Sequence, residues 1–278
     1  MPQSHRPSSS VPGDRVRPPA VAGRFYPADP AALTALVDGL LDGVPEAPDE
    51  AAVAYVVPHA GLRYSGSTAA YVYARLRNRP RPASVVLLGP AHYVPVKGCA
   101  VPAAQSWLTP LGAVPVDGAT IGVLSRDGHV QVTDEPFRPE HSLEVQVPFL
   151  QRCWPDEPVP ILPIAVGLST VDDMVVTLSA IAEAVGPAAV LLCSTDLSHY
   201  QPQAAAEAQD ARTAQAVLEL AVERIGSRDA CGVFALRGLT GWARHRGLRP
   251  TLLHRNTSAD TGGDPNRVVG YAAFSFTD

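Results

Sequence analysis

Lysine is almost missing from this chain: Lys97 is the only one, and arginine supplies nearly all of the 22 basic residues. Set against 27 acidic residues this leaves a net charge of −5, which argues against nucleic acid or an anionic membrane as a partner, because both call for a basic surface. The abundance of Ala, Pro and Gly beside that scarcity marks it as coding bias rather than function. Cysteine is sparse too. Cys99, Cys153, Cys193 and Cys231 stand apart, with no CxxC pair, which fits reduced thiols in a cytosolic protein rather than a disulfide scaffold. No stretch approaches the roughly 18 to 20 apolar residues of a membrane span. The first twenty residues, "MPQSHRPSSSVPGDRVRPPA", contain no apolar core for a signal peptide. A soluble, cytoplasmic protein is therefore expected. GxGxxG after a first strand, GxxxxGK[ST] and GxSxG are all missing, which removes dinucleotide sites, phosphate loops and the hydrolase elbow from consideration.

Hydrophobic residues make up 46% of the chain and charged residues only 18%, enough for a sizeable core. Residues 1–18 are rich in Pro, Ser and Arg and read as a disordered leader. Asp29-Pro30 then supplies a helix start, with Leu33, Val37, Leu40 and Leu41 at helical spacing behind it. An acidic loop leads to a series of short apolar strands alternating with helices: "AVAYVV", "SVVLLG", "VPILPIAVG" and "AAVLLCST". Two strand-like segments, "PTLLHRNTS" and "VVGYAAFSFTD", close the chain. This alternation predicts a layered α/β sheet buried on both faces, and no linker divides residues 19–278, so one domain is expected.

Ligands of open α/β sheets bind beyond the carboxyl ends of the strands. His59 follows "AVAYVV", His92 follows "SVVLLG", and Asp196 and His199 follow "AAVLLC". If these strands are parallel neighbours, three loops bring imidazoles and a carboxylate to one rim, the donor inventory of a first-row metal site. A histidine at a strand end can also serve simply as a hydrogen-bonding cap; three at matched ends favour a site. In "EHSLEVQ", His141 and Glu144 are three residues apart, which suits an acid/base pair or a carboxylate orienting an imidazole, and equally a plain acidic first helical turn. Cys231 is placed at a helix start with Asp229 as its cap, a position that lowers thiol pKa values. "SGSTAAY" offers a weak helix-start signal for an anion.

Taken together, "AVAGRFYPADP", "VVPHAGLRYSG", "VVLLGPAHY", "WLTPLG", "EHSLEVQVPFLQ", "LPIAVG" and "STDLSHY" closely resemble the Memo-like family, whose bacterial and archaeal members are named AmmeMemoRadiSam system protein B. The resemblance spans about residues 18–278. It implies a single-domain α/β sandwich similar to the class III extradiol dioxygenases, with a cysteine in place of the dioxygenases' carboxylate ligand. Matched by motif, the metal ligands are His59, His92 and Cys231; His141, Asp196 and His199 line the same pocket in catalytic roles; and Tyr64 and Phe25 match aromatic positions at its mouth. Beside these, Arg63 and Glu144 are further candidates for substrate contact. The implied metal is iron or copper, with zinc as a further candidate. Two functions follow from the resemblance: a metal-dependent oxidoreductase of dioxygenase type, or a non-catalytic module that binds a peptide or small anion in a vestigial cleft. It also implies a functional link to an AMMECR-type protein and a radical-SAM enzyme.

Overall fold

The computed structural model of the protein describes residues 15–46 and 51–278. Residues 1–14 of the expected leader and 47–50 of the acidic loop lie outside the described residues. The elements run β1 (Val16–Arg17), α1 (Pro30–Asp42), β2 (Ala54–Val57), α2 (Leu62–Arg77), β3 (Val85–Pro90), β4 (Cys99–Val101), β5 (Ser106–Thr109), β6 (Gly112–Pro115), α3 (Gly118–Arg126) and β7 (Gln131–Val132). They continue with α4 (Val147–Cys153), β8 (Ile161–Val166), α5 (Val171–Val185), β9 (Val190–Ser194), β10 (His199–Gln201), α6 (Gln203–Leu218), α7 (Val233–Arg246), β11 (Arg249–Thr257) and β12 (Val268–Thr277). Among the described residues no helix is long and apolar enough to cross a membrane.

The main sheet runs β10-β12-β2-β9-β3-β8-β4-β7, with β11 paired to β12. Its centre, β2-β9-β3-β8, is parallel, as the alternating strands and helices predict. The β11–β12 hairpin lies antiparallel to β2, so the sheet is mixed. Side-chain alternation along each strand divides the core in two. Tyr55, Val57, Val85, Leu87 and Leu192 face α1, α2 and α4. Ala54, Val56, Val86, Leu88 and Leu191 face α3, α5 and α7. The result is an α/β sandwich whose parallel strands are buried on both sides.

Local signals hold where they are strongest. Asp29 caps α1, its carboxylate accepting from the Ala32 N–H at 2.8 Å, with Pro30 opening the helix. Three expectations need correction. Arg15–Pro18 are not leader: β1 pairs with β5, and the buried Arg17 donates to Glu144 and to the Phe137 and Glu140 carbonyls while lying over the Trp107 ring. The helix in "EHSLEVQVPFLQRC" starts late. Glu144–Gln146 form a 3₁₀ turn and α4 begins at Val147, which puts Pro148 in a first turn that needs no proline N–H. Finally, α2 starts at Leu62, so Ser65 and Gly66 of "SGST" are buried inside it rather than open at its end.

Candidate metal centre

The parallel register aligns the strand-end rim. Val57 of β2 sits opposite Ser194 of β9, so the residues two steps further on, His59 and Asp196, also meet. The His59 and Ala60 N–H groups donate to the Asp196 carboxylate at 2.7 and 3.3 Å. His92 follows β3 on the other side of β9, with its ring centroid 5.3 Å from that of His59. Cys231 arrives from the loop before α7, its sulfur 3.2 Å from His59 Nε2. Its neighbour must be Gly232, because a Cβ there would come within 2.9 Å of Thr195 and 3.2 Å of Pro90. A ring nitrogen of His59, one of His92 and the Cys231 sulfur lie within 4.8 Å of one another.

Both imidazoles are set by buried partners. Ser194 Oγ donates to the Ser142 carbonyl at 2.6 Å and accepts from Gln146 Nε2 at 2.9 Å, so its single proton is committed. The remaining contact, 2.9 Å to His59 Nδ1, therefore has the ring as donor, and the His59 Nε2 lone pair points toward Cys231. Glu140 accepts from His92 Nδ1 at 2.9 Å and from the His92 N–H at 2.6 Å, leaving Nε2 as the free ring nitrogen of His92. Such partners on the far nitrogen fix tautomer and orientation in metal-binding histidines.

The electrostatics agree. Burial, aided by the neighbouring His92 and His141, pulls the His59 pKa well below its ordinary value and keeps the ring neutral. His141 is lowered too, chiefly by burial. Glu140 is held at about 2: burial would raise it, but hydrogen bonding and charge from His92 and the backbone N–H groups of Ser142 and His92 outweigh that. The Cys231 thiol is pushed up to about 12 by burial and by the Asp196 carboxylate. The helix-start expectation of a lowered thiol pKa fails because burial outweighs it; α7 also begins only at Val233, with Gly232 before it, and Asp229 accepts from Gly226 and Gln209. A thiol held protonated is a poor nucleophile, whereas a cation at its sulfur would reverse the shift.

The other expected residues divide. His141, Asp196, His199, Tyr64 and Phe25 line one cleft of about 1370 Å³ together with His59, His92 and Cys231. His141 stacks on His92 with ring centroids 4.7 Å apart, and Phe25 tilts against it at 4.6 Å. His199 donates through Nδ1 to the Leu197 carbonyl at 2.8 Å, not to Asp196; Asp196 organises the His59 loop rather than a histidine base. Glu144 is not in the cleft. It is buried against Arg17, Tyr26 and the N–H groups of Ala20 and Val21, so it neither orients His141 nor reaches a substrate. Arg63 is exposed outside the cleft lining, its guanidinium 5.6 Å from the Tyr64 ring. The carboxylate that sequence reasoning missed is Glu140, adjacent to His141 in the same motif. Helical i, i+3 logic pointed to Glu144 instead.

The fold and rim thus define an α/β protein with histidine and cysteine groups arranged as a metal could use them. The profile of the Memo-like protein family matches residues 17–275, and the chain belongs to that family. A MEMO1 family protein of Methanococcoides burtonii is 37% identical over 271 residues, covering 93% of this chain and 98% of that protein. One from Ignicoccus hospitalis is 36% identical over 281 residues, covering 94% and 98%. The crystal structure of an uncharacterized Escherichia coli K12 protein superposes with a TM-score of 0.54 at 13% identity, covering 80% of this chain and 98% of that one, a likeness of fold alone.

Proposed function

We propose that this protein is a metal-dependent oxidoreductase whose ion is held by His59, His92 and Cys231, with iron or copper as the metal and zinc as the third candidate. The observation that carries this reading is the convergence of two imidazoles, each with its far nitrogen tied to a buried partner, on one cysteine sulfur. The 3.2 Å between His59 Nε2 and Cys231 Sγ is close to the donor separation of ions bound at about 2.0 to 2.3 Å. A thiolate in place of a carboxylate makes the set softer, which favours copper or thiolate-ligated iron over ordinary catechol cleavage. When bound, the metal would supply redox and Lewis-acid chemistry.

The chain's own residues supply the rest. His199 has Nδ1 committed to a carbonyl, so its Nε2 lone pair can take a proton from a substrate in the cleft. His141, stacked on His92 beside Phe25, is a second base and a flat surface for an aromatic or planar substrate. Asp196 keeps the His59 loop in register. The substrate is an unidentified small molecule or peptide, and a functional link to an AMMECR-type protein and a radical-SAM enzyme belongs to the same proposal.

Elemental analysis tests it, on protein purified without chelator or a nickel-loaded tag, beside the His59→Ala, His92→Ala double variant. About one equivalent of iron or copper in the wild type, lost from a folded double variant, is the expected result. Stoichiometric metal retained in the double variant overturns the ligand set. No metal in the wild type even after reconstitution moves the protein to a non-catalytic binding module.

A further inference from the structure

Seven arginines elsewhere in the chain, Arg17 and Arg77 among them, pair with carboxylates. Nine others outside the cleft, Arg63 and Arg126 among them, form no ion pair among the described residues, so what sets the cleft arginines apart is their gathering in one place. Arg24, Arg212, Arg228 and Arg267 all line the cleft, all are exposed, and none forms an ion pair among the described residues. In a protein of net charge −5, unpaired guanidinium groups gathered at one opening mark a site for a negatively charged group.

Three of them belong to one braced wall. Gln201 Nε2 donates to Gln209 Oε1 at 2.6 Å, and Gln209 Nε2 donates to the Arg228 carbonyl and to Asp229 Oδ1. Gln209 therefore ties the loop carrying Arg228 and Cys231 to α6, and Arg212 lies one turn further along that helix. On the other side, β10 and β12 pair, and the Arg267 guanidinium lies 4.6 Å over the Tyr200 ring. Tyr200 has a φ of 60° and is 63% exposed. A bulky side chain keeps that left-handed conformation only where its surroundings hold it, and such residues gather at functional sites. Three acids share the lining with these four arginines: Asp196 is turned to the His59 N–H, Asp229 to Gly226 and Gln209, and Asp264 to Asn266, so each carboxylate is engaged away from the guanidinium groups.

We propose that Arg212, Arg228 and Arg267, with Arg267 oriented by Tyr200, form an oxyanion-recognition wall, so that the molecule entering this cleft carries a carboxylate or phosphate group. The wall is chemically continuous with the rim: Arg228 lies three residues before Cys231, and Tyr200 follows His199. Planar guanidinium groups match either oxyanion through paired hydrogen bonds. The inference rests on the cleft being a substrate site, not on the metal.

Calorimetric titration with benzoate, inorganic phosphate and neutral benzamide tests it. Benzoate or phosphate is expected to bind with an affinity that falls as salt rises, benzamide is not, and the preference between the two anions separates carboxylate from phosphate. The R212Q/R228Q/R267Q variant, checked for an unchanged Tm, is expected to bind at least tenfold more weakly. The triple lysine variant should recover part of the loss, and R63Q should bind as wild type. Failure of the wild type to bind either anion at millimolar concentration overturns the wall, as does undiminished binding by the triple glutamine variant. Repeating the titration on the His59→Ala, His92→Ala variant keeps the two readings apart. Binding that survives there supports the wall whatever the metal analysis gives; binding lost there but intact in the triple glutamine variant places the anion on the metal ligands and refutes it.

Discussion

Replacing Glu140 with glutamine isolates the residue on which the His92 side of the centre depends. Its two oxygens accept four hydrogen bonds: from the His92 N–H and Nδ1, the His141 N–H and the Ser142 N–H. A glutamine of the same shape keeps one accepting oxygen and turns an NH₂ group toward donors. The shift of Glu140 from an ordinary 4.5 to about 2 corresponds to about 3 kcal/mol at neutral pH. Because the folded pKa is depressed, that stability is present above about pH 4.5 and is lost as pH falls toward 2. Urea unfolding should therefore show E140Q about 2 to 3 kcal/mol less stable than wild type at pH 7. More than half of the gap should be gone by about pH 3, since the wild type has then lost most of its carboxylate advantage. Metal affinity should fall about 10- to 100-fold, the usual cost of removing a partner behind a ligand histidine. A variant within about 0.5 kcal/mol of wild type at pH 7, or a gap independent of pH, would refute the assignment of Glu140 as the buried carboxylate that fixes His92.

Ser194→Ala should free the His59 tautomer: nitrogen NMR is expected to show Nδ1–H in the wild type and a mixture in the variant, with weaker metal binding, and an unchanged tautomer would reassign the proton path. Arg17→Ala should destabilise the protein by about 3 to 5 kcal/mol, because it strands the Glu144 carboxylate in the core; a midpoint shift equivalent to less than about 1 kcal/mol would contradict a structural role for this segment. Cys231→Ser should lower copper affinity more than zinc affinity, and equal metal content before and after would make the cysteine structural.

The layered α/β architecture was legible because its signals are local. Apolar runs of strand length, a strong Asp-Pro helix start and helical spacing in α1 all depend on neighbours within a few residues. His59, His92 and Asp196 were legible for the same reason, since each directly follows such a run. The antiparallel β11–β12 hairpin beside β2 was not, because local sequence specifies a strand but not its partner. Arg17 was misread because a two-residue strand carries no periodicity, and its ion partner lies 127 residues away. Glu140 and Glu144 share one motif, and helical spacing chose the wrong one because His141 precedes the 3₁₀ turn, which begins only at Glu144.

Residue order alone thus determined which elements form and which reactive side chains stand at their ends, since both follow from short-range sterics and apolar periodicity. Tertiary packing alone decided what those side chains can do. The order β2-β9-β3 brings His59 and His92 to either side of Asp196, Ser194 and Glu140 set the free nitrogens, and burial raises the Cys231 thiol that its place near a helix start would have lowered. Proton position and pKa depend on desolvation and on partners distant in sequence, and those exist only once the chain has folded.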